Sequence, residues 1–287
     1  MLRHLIILAS LFFCGTNSSV IVTGAAGRTG SLVFQRLLAL DKSPIGVVRT
    51  EKSKQALCKK LRCSSDSVIV VDINDADSIK KAFIESGADK MVLCTSAVPQ
   101  IKPFSILKTL VLKIFGKTSR PEFKFREKGS PYFVDWLGAK YQYDAAKAAR
   151  MKQVVVVGSM GGSQPENFLN TIGRVEGDEL SGNILLWKRR NEEYLISSGL
   201  TYCIIHPGGL LDKPSGEREI ILGNDDKLLT EKTRSIPRGD VAEVCVQALD
   251  QPGALKRSFD IISREPAPGS ETRDWKKFFS QGGNNKY

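Results

Sequence analysis

The residues that could do chemistry begin with a glycine-rich run near the amino terminus. Gly24-Ala25-Ala26-Gly27-Arg28-Thr29-Gly30 directly follows an apolar stretch and opens a helical pattern. In such a run the first glycine allows a tight turn, the second lets the backbone approach a pyrophosphate, and the third permits close helix packing. The helix N-terminus adds free amides and a positive dipole end. The residues expected to bind the phosphates of a dinucleotide are Gly24, Ala26, Gly27, Arg28, Thr29 and Gly30.

The residues at the end of the second apolar run distinguish NAD from NADP as the expected ligand. Enzymes that use NAD place an Asp or Glu there for the ribose hydroxyls, and this carboxylate would repel a 2′-phosphate. The chain has Val47-Val48-Arg49-Thr50 at this point, with no acid before Glu51. Arg28 and Arg49 could both donate hydrogen bonds to a 2′-phosphate, although either could be an ordinary surface residue. These residues favour NADP over NAD. Asp72, at the end of the third run, could meet the adenine edge or cap a helix.

The elements that must position these residues are short apolar runs alternating with amphipathic stretches. Each run is almost continuously apolar, as a strand covered on both faces must be. Repeated strand–helix alternation predicts right-handed crossovers and an α/β fold with a doubly wound parallel sheet, the Rossmann fold. The predicted strands are 20–23, 44–49, 68–72, 91–95, 154–158 and 201–205, and the predicted helices are 30–40, 75–85, 135–150 and 192–198. Asp135 is a residue type suited to a helix start.

Two segments interrupt this alternation. Residues 99–131 read as an excursion above the sheet with a short apolar piece at 106–115, and residues 161–182 read as a long loop. Loops after strand ends are where doubly wound folds bind their ligands. We predict one NAD(P)-binding domain over residues 18–287, with a C-terminal subregion that caps the sheet edge. Trp275, Phe278 and Phe279 have the spacing of a docked terminal helix.

Residues 1–17 are set apart from the fold. A short basic start is followed by an apolar stretch that ends at Cys14, which has the length of a signal-peptide core and is too short to span a bilayer comfortably. It could be a secretory or bipartite targeting signal, an uncleaved membrane anchor, or a gene-model start that misses the true leader. We favour some form of targeting, and we expect membrane contact only through residues 1–14, if they are not cleaved.

Composition limits the remaining function classes. The net charge is +11, but Lys and Arg are scattered along the chain, so nucleic-acid binding is not expected. Six cysteines occur without a Cys-x-x-Cys pair, and there are only two histidines, so we expect no metal site. Free thiols favour a reducing compartment, either the cytoplasm or a plastid. The 41% apolar and 25% charged residues are typical of a globular protein.

Several motifs together carry a family resemblance. They occur in the order Thr23-Gly-Ala-Ala-Gly-Arg-Thr-Gly30, Thr95-Ser-Ala-Val-Pro99, Arg120-Pro-Glu-Phe123, Asp135-Trp136, Val154-Val-Val-Val-Gly-Ser-Met-Gly-Gly162, Trp187-Lys188, His206-Pro-Gly-Gly-Leu210 and Pro237-Arg-Gly-Asp-Val-Ala242. The chain resembles the atypical short-chain dehydrogenase/reductase family, and within it the small plant-type NADP-binding proteins of the NmrA-like group. The resemblance covers about residues 20–281. It implies a Rossmann fold with bound NADP, and it leaves the substrate open.

The resemblance also implies roles for residues that follow the later strands. Thr95, Ser96 and Ala97 would pass beneath the nicotinamide ribose. Ser159 matches the position of a catalytic serine, and Lys188 matches a lysine that binds the ribose hydroxyls and is counted, with Ser159 and His206, among the catalytic residues. Pro207, Gly208 and Gly209 would cover the nicotinamide.

The chain departs from the family pattern at two positions. Typical members carry a Tyr four residues before the Lys, where the ammonium lowers the phenol pKa for proton transfer. Here Ile184 stands four residues before Lys188, so this Tyr–Lys pair is absent. His206 stands where the group generally has an Arg. It could act as an acid near neutral pH, or it could have a packing or hydrogen-bonding role.

Two functions follow from these observations. One is an oxidoreductase in which NADPH reduces a small acceptor, such as a quinone or carbonyl compound, that Ser159 or His206 polarises. The other is a catalytically silent NADP-binding redox sensor or scaffold. The intact Ser159 and Lys188 favour the enzyme and the missing Tyr favours the sensor. We favour the oxidoreductase, and the sequence indicates neither the substrate nor the oligomeric state.

Overall fold

The computed structural model describes residues 18–114 and 121–282 of the 287-residue chain. The targeting or anchor segment predicted at residues 1–17 lies outside this part. Among the described helices, none is both long enough and apolar enough to cross a membrane.

Strands and helices alternate through most of the described chain. The strands are β1 (Val20–Thr23), β2 (Pro44–Val48), β3 (Val68–Val70), β4 (Lys90–Leu93), β5 (Gln100–Ile101), β6 (Phe123–Lys124), β7 (Gln153–Val157), β8 (Tyr202–Pro207), β9 (Gly209–Leu211), β10 (Ile220–Gly223), β11 (Ser235–Pro237) and β12 (Arg257–Ser263). The helices are α1 (Gly30–Ala39), α2 (Glu51–Leu61), α3 (Ala76–Ser86), α4 (Pro103–Ile114), α5 (Ala139–Ala148), α6 (Ile184–Ser197), α7 (Arg238–Ala248) and α8 (Trp275–Ser280).

Eight strands form one twisted sheet in the order β10-β12-β8-β7-β4-β1-β2-β3. Every pairing is parallel except that of β10 with β12 at one edge. The predicted doubly wound parallel sheet is therefore confirmed. The strand order reverses between β1 and β4, and ligands of such sheets bind at this switch point, beyond the carboxyl ends of the strands.

Two apolar cores cover the two faces of the sheet. Successive residues of a strand point to opposite faces, so Val20 and Val22 of β1 enter one core and Ile21 enters the other. Phe34 of α1 and Phe279 of α8 are fully buried in the first core. The second core contains side chains of α3, α5 and α6. The rigid sheet between them fixes where each strand ends, which is where the predicted site residues lie.

The six predicted strands and the predicted terminal helix are present, and the structure adds elements that the sequence did not indicate. Helix α2 went unpredicted because its apolar stripe is short: Leu57 is buried, and Cys58 and Leu61 are partly buried against the core. Helix α6 begins eight residues earlier than predicted, at Ile184. The predicted excursion at residues 99–131 contains the β5–β6 hairpin and α4.

The prediction that Asp135 starts a helix is wrong. Asp135 lies inside a π-helical turn, Tyr132–Gly138, that runs directly into α5. The Asp135 side chain is fully buried and accepts a hydrogen bond from the Ala97 amide. Gln142 of α5 donates to the Thr95 hydroxyl. A buried carboxylate needs hydrogen bonds or a cation as partner, and Asp135 has both, the Ala97 amide and the Lys188 ammonium.

Candidate functional site

The glycine-rich run forms a turn that accommodates no side chain at three positions. Gly24 has φ +66°, and a Cβ there would lie 2.9 Å from the Cys94 carbonyl oxygen. A Cβ on Gly27 would lie 3.0 Å from the Gly24 oxygen, and a Cβ on Gly30 only 2.2 Å from it. The backbone therefore packs on itself at the start of α1, and any larger residue would force it apart.

This turn leaves backbone amides available for an anion. Among the described residues we find no acceptor for the amides of Ala26, Arg28, Thr29 and Gly30, whereas the Gly27 amide donates to the Gly24 oxygen at 2.8 Å. The first turn of α1 carries no acidic residue and no side-chain cap. Free amides at the positive end of a helix dipole attract phosphate oxygens. This part of the chain thus fits a pyrophosphate.

A cleft of about 530 Å³ opens beside this turn, at the carboxyl ends of β1 to β4. It brings together ten of the residues predicted to bind the nucleotide, namely Gly24, Ala26, Gly27, Arg28, Thr29, Arg49, Asp72, Thr95, Ser96 and Ala97. Gly30 packs against the turn from within α1. We call this space the nucleotide cleft. Its length along four strand ends suits an extended ligand.

The far end of the nucleotide cleft contains the residues that bear on the 2′-phosphate. Arg49 is exposed and lines the cleft together with Ser53 from the first turn of α2. Thr50 caps this helix, because its Oγ1 accepts from the Ser53 amide at 3.2 Å. Arg28 also lines the cleft and pairs with Asp212 at 3.5 Å on the surface. Arg28, Arg49 and the N-terminus of α2 therefore all border the cleft, and the joint contact of the two arginines with a 2′-phosphate stays a prediction.

The two alternatives for Asp72 are separated by the structure. Asp75, not Asp72, caps α3, since its Oδ1 accepts from the Ser78 amide at 3.1 Å. Asp72 lines the nucleotide cleft, and its Oδ1 accepts from the Asn74 amide at 3.0 Å. The helix-capping alternative is therefore wrong, and contact with the adenine edge stays a prediction.

A second, smaller cleft of about 220 Å³ lies near the ends of β7, β8 and β12. It brings together the three residues predicted to be catalytic, Ser159, Lys188 and His206. Glu192, Asp226 and Asp260 line it as well. We call this space the polar cleft. Ser159, Lys188 and His206 thus share one site. Lys188 is not among the described residues that line the nucleotide cleft, so its predicted contact with the ribose hydroxyls stays a prediction.

Asp135 connects the two clefts. Its Oδ1 lies 2.8 Å from the ammonium of Lys188, which lines the polar cleft. Its Oδ2 accepts a hydrogen bond of 3.0 Å from the amide of Ala97, which lines the nucleotide cleft. The carbonyl oxygen of Asp135 accepts from Asn191, whose own amide oxygen accepts from the Tyr143 hydroxyl at 2.9 Å. This buried network fixes Lys188 relative to the nucleotide cleft.

His206 is buried between two carboxylates. Its Nδ1 lies 3.2 Å from Asp260 and its Nε2 lies 3.3 Å from Glu192. Burial alone would lower the pKa of the imidazole, but the charge of Glu192 and the hydrogen bonds with both carboxylates raise this pKa to about 9. His206 is therefore a cation at neutral pH. This geometry supports the hydrogen-bonding alternative, and a catalytic role for His206 stays a prediction.

Asp226 holds the loop that follows β7. Its carboxylate accepts from the Gly161 amide at 2.6 Å and from the Ser163 amide at 2.9 Å and hydroxyl at 2.6 Å. Burial opposes the charge, yet these hydrogen bonds lower the pKa of Asp226. The Asp226 amide in turn donates to Asp260 at 2.7 Å. A continuous chain thus runs from His206 to the loop that carries Ser159.

The Pro207-Gly208-Gly209 segment passes between the clefts. The Pro207 oxygen accepts from the Met160 amide at 3.2 Å, next to Ser159. A Cβ on Gly208 would lie 2.4 Å from the Arg234 oxygen, so the chain needs a glycine there. Leu210, the next residue after this segment, lines the nucleotide cleft. Pro207, Gly208 and Gly209 are not among the described residues that line either cleft. Their contact with the nicotinamide stays a prediction.

Sequence reasoning missed the acidic residues of the polar cleft. Glu192 could have been found, because it lies one helical turn after Lys188 and so shares its face. Asp260 interrupts an apolar run, Phe259-Asp260-Ile261-Ile262, and a charge inside a buried strand is itself a signal. Asp226 comes from a distant turn, and nothing in its neighbourhood of the sequence indicated this position.

Comparison with known proteins agrees with this geometry. Residues 24–252 match the model of the NAD(P)H-binding family. An uncharacterized chloroplastic protein of Arabidopsis thaliana is 45% identical over 266 residues, which cover 92% of this chain and 75% of that protein. Sanguinarine reductase of Eschscholzia californica is 40% identical, with coverage of 92% and 95%. A putative NAD-dependent epimerase/dehydratase from Bacillus halodurans shares the fold, with a TM-score of 0.65, 22% identity, and coverage of 92% and 99%.

Proposed function

Because the chain belongs to the NAD(P)H-binding family, in its atypical short-chain dehydrogenase/reductase group, we propose that it is an NADPH-dependent reductase of a small organic acceptor. The observation that carries the proposal is the pair of clefts connected by Asp135, one suited to a dinucleotide and one lined by Ser159, Lys188 and His206. The sanguinarine reductase at 40% identity, which spans nearly the same length, supports a reductase.

The nucleotide cleft fits NADPH through its backbone and its charges. Gly24, Gly27 and Gly30 let the backbone fold into its tight turn, and the free amides at the start of α1 would hold the pyrophosphate. Arg49, with no carboxylate at the end of β2, favours a 2′-phosphate over a free ribose hydroxyl pair. NADPH supplies a hydride when it is bound.

In the polar cleft, residues of this chain would orient and polarise the acceptor. Ser159 presents a hydroxyl at a partly exposed position of the cleft. The ammonium of Lys188 lies in the same cleft and would stabilise negative charge that develops on the acceptor oxygen, whereas both ring nitrogens of His206 lie against carboxylates and would position the site. Asp135, Glu192 and Asp260 keep Lys188 and His206 in place. The roles are electrostatic stabilisation and positioning.

The described residues that line the two clefts include no tyrosine that could donate a proton. Helix α6 begins at Ile184, so an apolar residue occupies the turn before Lys188. The Tyr143 hydroxyl is buried and bonded to Asn191, and burial raises its pKa well above the usual value. An acceptor that needs little protein-side acid, such as a quinone, suits this cleft better than a simple ketone.

The missing tyrosine also favours a second candidate, an NADP-binding redox sensor. Calorimetry with NADPH, followed by NADPH oxidation with a panel of quinones and aldehydes, separates the two. Turnover that Ser159→Ala reduces and the surface control Ser197→Ala leaves unchanged would support the reductase. Tight binding of NADPH without turnover on any acceptor would favour the sensor, and absence of NADPH binding would refute both.

We also propose a plastid location. The Arabidopsis relative at 45% identity is named as chloroplastic, and the free cysteines of the described residues, two of them fully buried, suit a reducing compartment. A fluorescent protein fused after residue 287 should colocalise with chlorophyll in leaf cells. Fluorescence confined to the secretory pathway would contradict this location.

A further inference from the structure

Large apolar side chains are exposed in the segment that follows β4. Twelve large hydrophobic residues are exposed in the described part of the chain, and five of them lie between residues 98 and 114. This group contains the three most exposed of the twelve, which are Phe104 at 88%, Ile114 at 76% and Val98 at 73%. Scattered single apolar residues are normal on a surface, whereas a contiguous group points to a binding partner.

Helix α4 buries a polar residue near its start. Ser105 is buried, and its hydroxyl donates to the Lys102 oxygen at 2.6 Å and accepts from the Glu122 amide at 3.0 Å. Its neighbours Phe104 and Ile106 are both exposed. A surface helix of a globular protein normally turns its apolar stripe to the core. The side chains of α4 that the structure describes show the opposite arrangement, since Ser105 is buried while Phe104, Ile106 and Ile114 are exposed.

The surroundings of α4 are basic. Residues 100–114 and 121–130 contain six Lys and Arg against two Glu, a net charge of +4. On the segment after α4, Lys124, Arg126 and Lys128 are exposed, as are Glu122 and Glu127. Helices that show apolar residues within a basic surface bind at the headgroup level of anionic membranes. A second copy of the chain is disfavoured as the partner, because it would bring two equally basic surfaces together.

We propose that α4 and its basic surroundings dock on an anionic lipid bilayer, with Phe104, Ile106 and Ile114 inserted at the headgroup level. This contact is separate from any contact of residues 1–14. Val98 and Arg126 belong both to this surface and to the lining of the nucleotide cleft. Docking would therefore bring the mouth of that cleft close to the bilayer, where apolar acceptors concentrate. The binding itself does not depend on the proposed reductase activity.

The test is cosedimentation of the full-length chain with vesicles. Vesicles of phosphatidylcholine with phosphatidylglycerol are compared with vesicles of phosphatidylcholine alone, at low and high salt. We expect binding to the anionic vesicles that weakens with salt. Phe104→Ser should reduce the partition coefficient roughly tenfold or more, since a phenyl ring leaves the interface. Ile84→Ser, at a 50% exposed position of α3, is the matched control and should bind as the parent does.

Residues 1–17 are common to all variants, so their own affinity for lipid cancels in the comparison. Ile114→Ser provides an independent second substitution, and circular dichroism verifies that each variant is folded. Failure to bind anionic vesicles would overturn the proposal. So would equal binding by the parent, Phe104→Ser and Ile114→Ser. Light scattering that shows a dimer lost in Phe104→Ser, without vesicle binding, would instead assign the surface to a second copy.

Discussion

The imidazole of His206 should titrate far above the usual range for histidine. It lies 3.2 Å from Asp260 and 3.3 Å from Glu192 in a buried site. Burial opposes its charge, but the two carboxylates dominate and raise the pKa from 6.5 to about 9. The most informative perturbation is Glu192→Gln, which removes one charge and retains the shape and hydrogen-bonding capacity of the side chain.

The pKa shift translates into stability. At 1.36 kcal/mol per pKa unit, a rise from 6.5 to about 9 corresponds to about 3 kcal/mol. Because the folded-state pKa lies above the unfolded-state value, this stabilisation is complete below pH 6.5 and is lost as the pH rises through 9. Glu192→Gln should lower the titration midpoint of His206 by at least about one pKa unit, because only Asp260 then offsets the effect of burial on the charged imidazole.

Proton NMR of the imidazole C2–H measures this directly. The chain has two histidines, His4 and His206, so a His4→Gln background leaves a single signal to follow. The parent signal should titrate with a midpoint near 9, and the signal of Glu192→Gln should titrate at lower pH. Urea unfolding of the parent at pH 6 and pH 10 should show the accompanying loss of stability. A midpoint near 6.5, or one that Glu192→Gln leaves in place, would refute the account of the polar cleft as a site that holds His206 charged.

Three further predictions follow from the two clefts. Gly30→Ala places a Cβ 2.2 Å from the Gly24 oxygen, so calorimetry should show NADPH affinity at least roughly tenfold weaker, and an unchanged affinity would contradict the phosphate-loop assignment. Arg49→Ala removes a charged partner worth about 1.5–3 kcal/mol, so it should weaken NADPH binding roughly tenfold or more and NADH binding little; equal losses would count against the 2′-phosphate assignment. Asp135→Asn leaves the buried Lys188 ammonium without its counter-charge and should lower the free energy of unfolding by about 3–5 kcal/mol in urea. The matched surface substitution Lys152→Gln, which removes an exposed cation paired with Asp89 at 2.9 Å, should cost less than about 1 kcal/mol, and similar losses in the two variants would argue against a buried ion pair.

The nucleotide cleft was largely predictable because its chemistry is local. Gly24, Gly27 and Gly30 lie within seven consecutive residues that join a strand to a helix. Their spacing is therefore enough to predict the geometry of the turn. Arg49 follows β2 directly, and parallel strands bring their carboxyl ends to the same edge of the sheet. The structure places these residues in one cleft. Helix α2 escaped prediction because its apolar stripe is short, Leu57, Cys58 and Leu61, within an otherwise polar sequence.

The polar cleft was only partly predictable because its residues are far apart in the chain. Ser159 and Lys188 were found by resemblance to family motifs, and His206 by its position in one of them. Their carboxylate partners, Asp135 and Asp260, lie 53 and 54 residues away from Lys188 and His206 respectively. The start of α6 was placed too late, and this hid the fact that Glu192 lies on the same helix as Lys188.

The sequence by itself determined the fold class, the nucleotide loop and the absence of a tyrosine before Lys188, since strand periodicity, glycine spacing and helical spacing act over a few residues. The tertiary structure alone decided the charge state of His206, the pairing of Lys188 with Asp135 and the outward apolar residues of α4. Each of these depends on which distant segments pack together and on how much water they exclude. Interactions between charges and the cost of burying them vary with distance and surroundings, and neither can be known until the chain has folded.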